Sequence, residues 1–306
     1  MIAKETSDTQ ARTDTIYISV VMPCLNEQES VGWCVERAWQ GIERVGLRGE
    51  VVVCDNGSVD RSVEVAERAG ARVAREARRG YGRAYLTGID ASVGRMIVIG
   101  DSDCSYDFFE LHRLISPLAE GYDYVLGSRL GGTILPGAMP FLNRYVGNPV
   151  LTRLLNTLFG LHTSDAHSGM RAFTRSAYDV MSLRCEGMEF ASEIVIAAAR
   201  TGLRTTEVPI TYHPRLGPSK LRRWRDGLRH LQFMFSEAIS PDPRWTSAVS
   251  SSGASPEVGV MNGNGVSVSE RELIPSGPPE TSRLSRATVD ARTPGDPQPA
   301  TRPEVT

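Results

Sequence analysis

The chain has 306 residues, 41% apolar and 23% charged, with a formal net charge of -2. That is room for one large domain or two small ones, in proportions ordinary for a globular enzyme. The near-neutral balance excludes a general attraction to nucleic acid, and no window of 18 apolar residues is present to span a membrane as a helix.

Arginine carries the positive charge, since Lys4 and Lys220 are the only lysines. Arginine suits bidentate phosphate contacts, although codon bias is the plainer reading. The five cysteines (Cys24, Cys34, Cys54, Cys104 and Cys185) are odd in number and lack zinc spacing. They fit reduced thiols in a cytosolic protein. Residues 1–14 read as a loose leader without the apolar core of a signal peptide.

Tyr17–Met22 is a β-rich run, and Glu29–Val45 has helical spacing through Val31, Val35, Ala38 and Ile42. Glu50–Cys54 predicts a second strand, and Ser58–Ala69 a helix capped by Ser58 or Asp60. A short strand at Ala71–Ala74, a helix over Gly82–Ser92, and strands at Arg95–Gly100 and Tyr122–Gly127 follow. This alternation predicts a mostly parallel sheet flanked by helices. Apolar stripes at helical spacing run from Val150 to Phe159 and from Leu221 to Phe235, the second beside Arg222, Arg223, Arg225 and Arg229. Such stripes serve either core packing or contact with an anionic membrane surface. The domain is expected over 15–240, with a basic amphipathic segment at 205–238. Residues 241–306, rich in Pro, Gly, Ser and Thr, are expected to be a disordered tail.

Three polar segments end predicted strands, where parallel sheets bind ligands. Asp101 and Asp103 flank one residue directly after RMIVIG. In an extended segment they point the same way and can share one divalent cation with a diphosphate. Asp55 ends the second strand, as a ligand for a base or ribose or as part of a turn. Pro23, Asn26 and Glu27 end the first, and Glu27 reads equally as a first-turn acid. Arg78-Arg79-Gly80-Tyr81-Gly82-Arg83 is a basic glycine turn before a helix, suited to phosphate or simply a loop. It lacks the third glycine of a dinucleotide fingerprint.

In order, PCLNEQESV, VVVCDNGSVDRS, RRGYGRAYLTGI, VIGDSDCSYD, GSRLGG, SDAHSGMRAF and GPSKLRRWRDGLRHLQF resemble the family 2 glycosyltransferases. Within them the likeness is to the dolichyl- or polyprenyl-phosphate mannose and glucose synthases, over about residues 16–236. The resemblance implies the GT-A nucleotide-sugar (Rossmann-like) fold. It also implies inverting transfer of a hexose from UDP-glucose or GDP-mannose to a polyprenyl phosphate, with Mg²⁺ or Mn²⁺. By motif, Pro23, Asn26, Glu27, Asp55, Gly80, Gly82 and Asp101 would hold the donor. Asp101 and Asp103 would hold the metal, with Ser105 where many relatives have Gln. Arg129, Arg144, Arg215 and Lys220 would contact phosphates, and Asp165 would stand near the reacting centre.

A phosphate acceptor needs no general base, whereas a hydroxyl acceptor does, and Asp165 is the candidate. Transfer to a soluble hydroxyl and non-catalytic nucleotide-sugar binding are the competing readings. The expected place is the cytoplasm, either free or peripheral on the membrane through a basic patch or a membrane partner.

Overall fold

The computed structural model describes residues 17–217 and 223–245, with the side chains of 223–226 left aside. The leader, Lys220, Leu221, Arg222 and the chain after 245 lie outside the described residues, and so do the side chains of Arg223, Trp224 and Arg225.

Among the described residues, seven strands form one sheet: β1 (Ile18–Cys24), β2 (Gly49–Asp55), β3 (Arg72–Arg75), β4 (Met96–Ile99), β5 (Tyr124–Ile134), β6 (Arg171–Thr174) and β7 (Thr205–Tyr212). Their order is β3-β2-β1-β4-β6-β5-β7. All pair in parallel except β6, which runs antiparallel to both β4 and β5. The helices are α1 (Val31–Val45), α2 (Ser62–Arg68), α3 (Tyr81–Ala91), α4 (His112–Ala119), α5 (Asn148–Phe159), α6 (Arg175–Met181), α7 (Phe190–Arg200) and α8 (Arg223–Ile239).

The strands read as continuous apolar runs because both sheet faces are covered. Alternate residues go to opposite layers: Val20, Met22, Val51, Val53 and Val98 pack with α1 and α4, whereas Val21, Val52, Ile97 and Ile99 pack with α3 and α7. The predicted GT-A-like α/β architecture is therefore observed, and each predicted strand is present within two residues at its start.

Several expectations need correction. The second helix begins at Ser62 rather than Ser58, because residues 58–62 spend their polar groups on the 26–28 turn. The fifth strand continues through the glycines to Ile134, where β7 pairs with it across a register shift. The segment 205–238 is not one amphipathic unit, since 205–212 is strand. On α8 the buried positions are His230, Met234 and Glu237, whereas Leu228 and Phe235 are exposed. The supposed tail is not structureless at its start: Trp245 is fully buried and its Nε1 donates to the Met181 carbonyl at 2.7 Å. Among the described residues, no helix is long and apolar enough to cross a membrane.

Candidate active site

The carboxyl ends of β1, β2 and β4 meet, as the parallel order requires. The Asn26–Gln28 turn is stitched to the 58–62 turn. Asn26 N–H donates to Ser58 Oγ at 2.9 Å, Val59 N–H donates to Asn26 Oδ1 at 2.8 Å, and Glu27 N–H donates to Ser62 Oγ at 2.7 Å. Asn26 takes a φ of 53°, a left-handed conformation that asparagine tolerates. Asp55 is 7% exposed and accepts from the N–H groups of Ser58 and Gly57. Its turn-forming reading is thus realised. A cleft of about 160 Å³ lies between Asn26–Ser30, Asp60 and Leu216–Gly217, with Glu27, Glu29 and Asp60 on its wall.

The glycine turn is built differently from its phosphate-binding expectation. Gly80 N–H donates to Asn56 Oδ1 at 2.8 Å, Gly82 N–H to Gly187 O at 3.2 Å, and Arg83 N–H to Glu186 O at 3.1 Å. These amides are already engaged. A Cβ would stand 2.4 Å from Glu186 O at Gly80 and 2.0 Å from Cys185 O at Gly82. The two glycines therefore permit close backbone packing against 185–187 rather than offering an anion site. Asn56, whose Nδ2 donates to the carbonyls of Glu76 and Arg78, is the turn's organiser.

Asp101–Ser105 bends instead of extending, with Cys104 at a φ of 64°. The two carboxylates are consequently held from different sides. Asp101 Oδ1 accepts from the hydroxyls of Tyr81 (3.0 Å) and Tyr85 (3.1 Å). Asp103 Oδ1 accepts from Ser105 N–H and Oγ, and its Oδ2 lies 3.4 Å from Arg215. Ser105 spends its hydroxyl proton on Asp103 and so orients that carboxylate. Burial and the neighbouring Asp103 charge push Asp101 up to about 6, opposed by the tyrosine hydroxyls and Arg215. Among the described residues no cluster of three or more His, Cys, Asp or Glu side chains could hold a metal. Each of Asp101 and Asp103 nonetheless keeps Oδ2 clear of these tyrosine and serine bonds. Two such oxygens fit an ion that takes few carboxylates and completes its shell with water and phosphate.

Arg215 reaches this loop because 213–216 zips onto it: His213 N–H donates to Ser105 O and Leu216 N–H to Asp103 O. Arg215 also lies 3.4 Å from Glu27 Oε1, joining two of the polar segments. Cys104 is buried, with its Sγ 3.9 Å from Cys34 Sγ.

Asp165 has no solvent exposure. Its carboxylate accepts from Arg129 N–H (2.9 Å), Nε (2.8 Å) and Nη2 (2.8 Å). Burial opposes both charges, yet their attraction prevails, with Asp165 below the usual carboxylate range and Arg129 above its own. A carboxylate so enclosed is a poor proton acceptor, which weighs against Asp165 as the base that a hydroxyl acceptor would need. Tyr106 links this pair to the Asp101–Ser105 loop. Its ring lies 5.3 Å from that of Tyr212, over which Arg129 sits, and its hydroxyl accepts from Gly169 N–H at 2.7 Å. A Cβ at Gly169 would lie 3.0 Å from Asp101 Oδ2.

Arg171, 1% exposed, donates to the carbonyls of Ser168, Ala166 and Ala191 and so fixes this turn. Motif reading missed Tyr81, Tyr85, Tyr106 and Arg171; the i,i+4 tyrosines of YGRAY were the available signal. Arg144 is not part of the buried pair. It lies on a π-helical turn (Asn143–Gly147), with its guanidinium 5.4 Å from the Tyr145 ring.

The model of the family described as glycosyl transferase family 2 matches residues 19–181. The hexosyltransferase Agl6 of low-salt glycan biosynthesis from Haloferax volcanii is 47% identical over 222 residues, covering 72% of this chain and 54% of its own. This chain thus spans about half the length of that relative. The dolichyl-phosphate hexose transferase of the same organism is 34% identical over 213 residues, 69% of this chain and 89% of its own. Glucosyl-3-phosphoglycerate synthase from Mycobacterium tuberculosis, solved with Mn²⁺, UDP and phosphoglyceric acid, superposes with a TM-score of 0.57. It is 25% identical and covers 76% of this chain and 82% of its own. The matched residues include Asn26, Asp55, Asp101 and Asp165, and the chain belongs to glycosyl transferase family 2.

Proposed function

We propose that this chain is an inverting hexosyltransferase that moves glucose or mannose from a UDP- or GDP-sugar to a polyprenyl or dolichyl phosphate. Pro23, Asn26, Glu27 and Asp55 surround the nucleoside in this reading. Asp101 and Asp103 hold Mg²⁺ or Mn²⁺, as the fold relative solved with Mn²⁺ and UDP suggests. When bound, the ion supplies neutralisation of the diphosphate charge. Ser105 and the tyrosines orient the two carboxylates, and Arg215 adds a cation beside them.

The observation that carries the acceptor class is the enclosure of Asp165. An acceptor hydroxyl must lose its proton, and Asp165 has no oxygen turned to solvent to receive it. A phosphate monoester, with a second pKa of about 6, is already dianionic and attacks without a base. Arg129, aimed by Asp165, lowers the repulsion between two anions, and a bound sugar attacked opposite its diphosphate inverts.

A second feature supports a lipid. Phe141, Leu142, Tyr145, Val146 and Val150 are exposed by 74, 66, 57, 48 and 59%. They lie within 124–164, which holds no acidic residue but carries Arg129, Arg144 and Arg153. An apolar, acid-free ridge suits the surface of an anionic membrane, with Arg144 at the level of the acceptor phosphate.

The test offers labelled UDP-glucose and GDP-mannose with a short polyprenyl phosphate and Mg²⁺ or Mn²⁺. A lipid-linked hexose is expected with one donor. Turnover only with a soluble hydroxyl acceptor would reject the lipid reading, and binding of donor without any turnover would favour a non-catalytic role.

A further inference from the structure

The segment following α8 reaches back across the molecule. Trp245 is fully buried and donates to Met181 O, and Arg244 donates to Ser182 O. Arg244 also lies 2.7 Å from Asp242 and 3.6 Å from Glu193. The Glu193 carboxylate, without solvent exposure, accepts from Cys185 N–H at 2.7 Å and Arg184 N–H at 2.9 Å. The strap is therefore tied to the 181–185 loop by the buried Trp245 bond, and by Arg244 at the edge of the same contact.

The same loop holds the start of α3. Its carbonyls at 185–187 press on Gly80 and Gly82 and accept from the Gly82 and Arg83 amides. Phe190 stacks on Tyr85 with ring centroids 5.3 Å apart and planes 10° apart. Tyr81 and Tyr85 then present their hydroxyls to Asp101 Oδ1. At the glycines backbone meets backbone, which leaves this part of the series little slack. A tenth-nanometre shift of 185–187 would lengthen both tyrosine bonds, which weaken steeply outside their narrow range.

We infer that Arg244 and Trp245 are positioning residues for Asp101, acting through the 182–190 loop and the two tyrosines. The inference rests on the reading of Asp101 as a metal ligand. It extends the working part of the enzyme to a segment whose composition reads as tail.

The test uses the full chain with Arg244→Gln and Trp245→Ala, the first guarding against loss of folding in the second. The Mn²⁺ concentration for half-maximal transfer is expected to rise on the order of tenfold, the scale of a charge-assisted hydrogen bond. In a Tyr81→Phe/Tyr85→Phe background each strap variant should add less than about twofold, because residues in one network are not additive. Additive effects would overturn the inference, since a merely structural strap acts independently of the tyrosines. Amide exchange supplies a readout that needs no transfer. Protection is expected to fall over 81–91 and 100–105 as well as over 181–190. Losses confined to 181–190 and 223–245 would overturn the inference. A wild-type protein indifferent to Mn²⁺ would defeat the metal reading alone, leaving the exchange arm to decide the strap.

Discussion

Asp165→Asn exchanges one oxygen for an amide nitrogen where no solvent reaches. The substitution preserves shape but leaves the Arg129 guanidinium, itself 9% exposed, without its counter-charge. It also turns an N–H donor toward a site that supplies three donors. Breaking a buried pair from one side costs about 3–5 kcal/mol. At about 2–4 °C per kcal/mol for a chain of this size, the melting temperature should fall by roughly 6–20 °C. Transfer to a phosphate acceptor, assayed below both melting points, should fall as well, because Arg129 loses its aim. The paired variant Arg129→Met/Asp165→Leu removes both charges and should recover much of the stability but none of the transfer. The measurements are thermal unfolding and initial rates on the same preparations. An unchanged melting temperature would refute the reasoning, since the buried Arg129 charge would then have lost its partner at no cost.

Four further outcomes are expected. Tyr81→Phe and Tyr85→Phe each remove one donor to Asp101, so a Mn²⁺ titration should shift about tenfold for each; no shift in either would remove the tyrosines from the site. Gly82→Ala should lower the melting temperature because its Cβ meets Cys185 O at 2.0 Å, whereas Gly227→Ala, with nothing within 4 Å, should raise stability by about 1 kcal/mol from helix propensity alone. Asp165 is depressed in the folded state, so its contribution is whole above the ordinary value of about 3.9 and is lost as pH falls through the lower folded value. Acid unfolding of Arg129→Met/Asp165→Leu should therefore show a shallower pH slope than that of the wild type. Phe141→Ser/Leu142→Ser should weaken binding to anionic vesicles and raise the lipid-acceptor KM without changing the donor KM; a change confined to the donor would count against the ridge.

β1, β2 and β4 were legible as apolar, mostly β-branched runs buried on both faces, whereas the partly exposed edge strand β3 stood out only by its place between two helices. β6 was not, since RAFT is four residues long and opens on an arginine that is buried only because three carbonyls surround it. β7 was equally hidden by Glu207 and Pro209 inside it. Asp101, Asp103 and Asp55 could be found from their places at strand ends. The pairing of Tyr81 and Tyr85 with Asp101, and of Arg215 with Asp103, could not, because they lie 16 to 20 and 112 residues away, distances that only the tertiary fold closes. The glycines of the basic turn were ambiguous for a related reason. A glycine that admits a phosphate and one that admits a neighbouring carbonyl look alike until the neighbour at 185–187 is known.

The antiparallel β6 has a consequence for how the family can vary. Because it runs against β4, its entrance rather than its exit lies at the ligand edge, with Arg171 opposite Ile99. Residues 165–169 thus come to Asp101 by leading into a strand, while the loops carrying Asn26, Asn56 and Asp101 leave one. The spacing between the two proposed substrate halves is consequently ruled by a four-pair ladder instead of a hinge. A slip of one residue along it would move one half by about 3.4 Å and turn each side chain to the other face. Loops leaving the far end of that strand can lengthen or shorten without disturbing this distance. In the proposed reading, the separation of donor from acceptor is then set by this ladder and not by those loops.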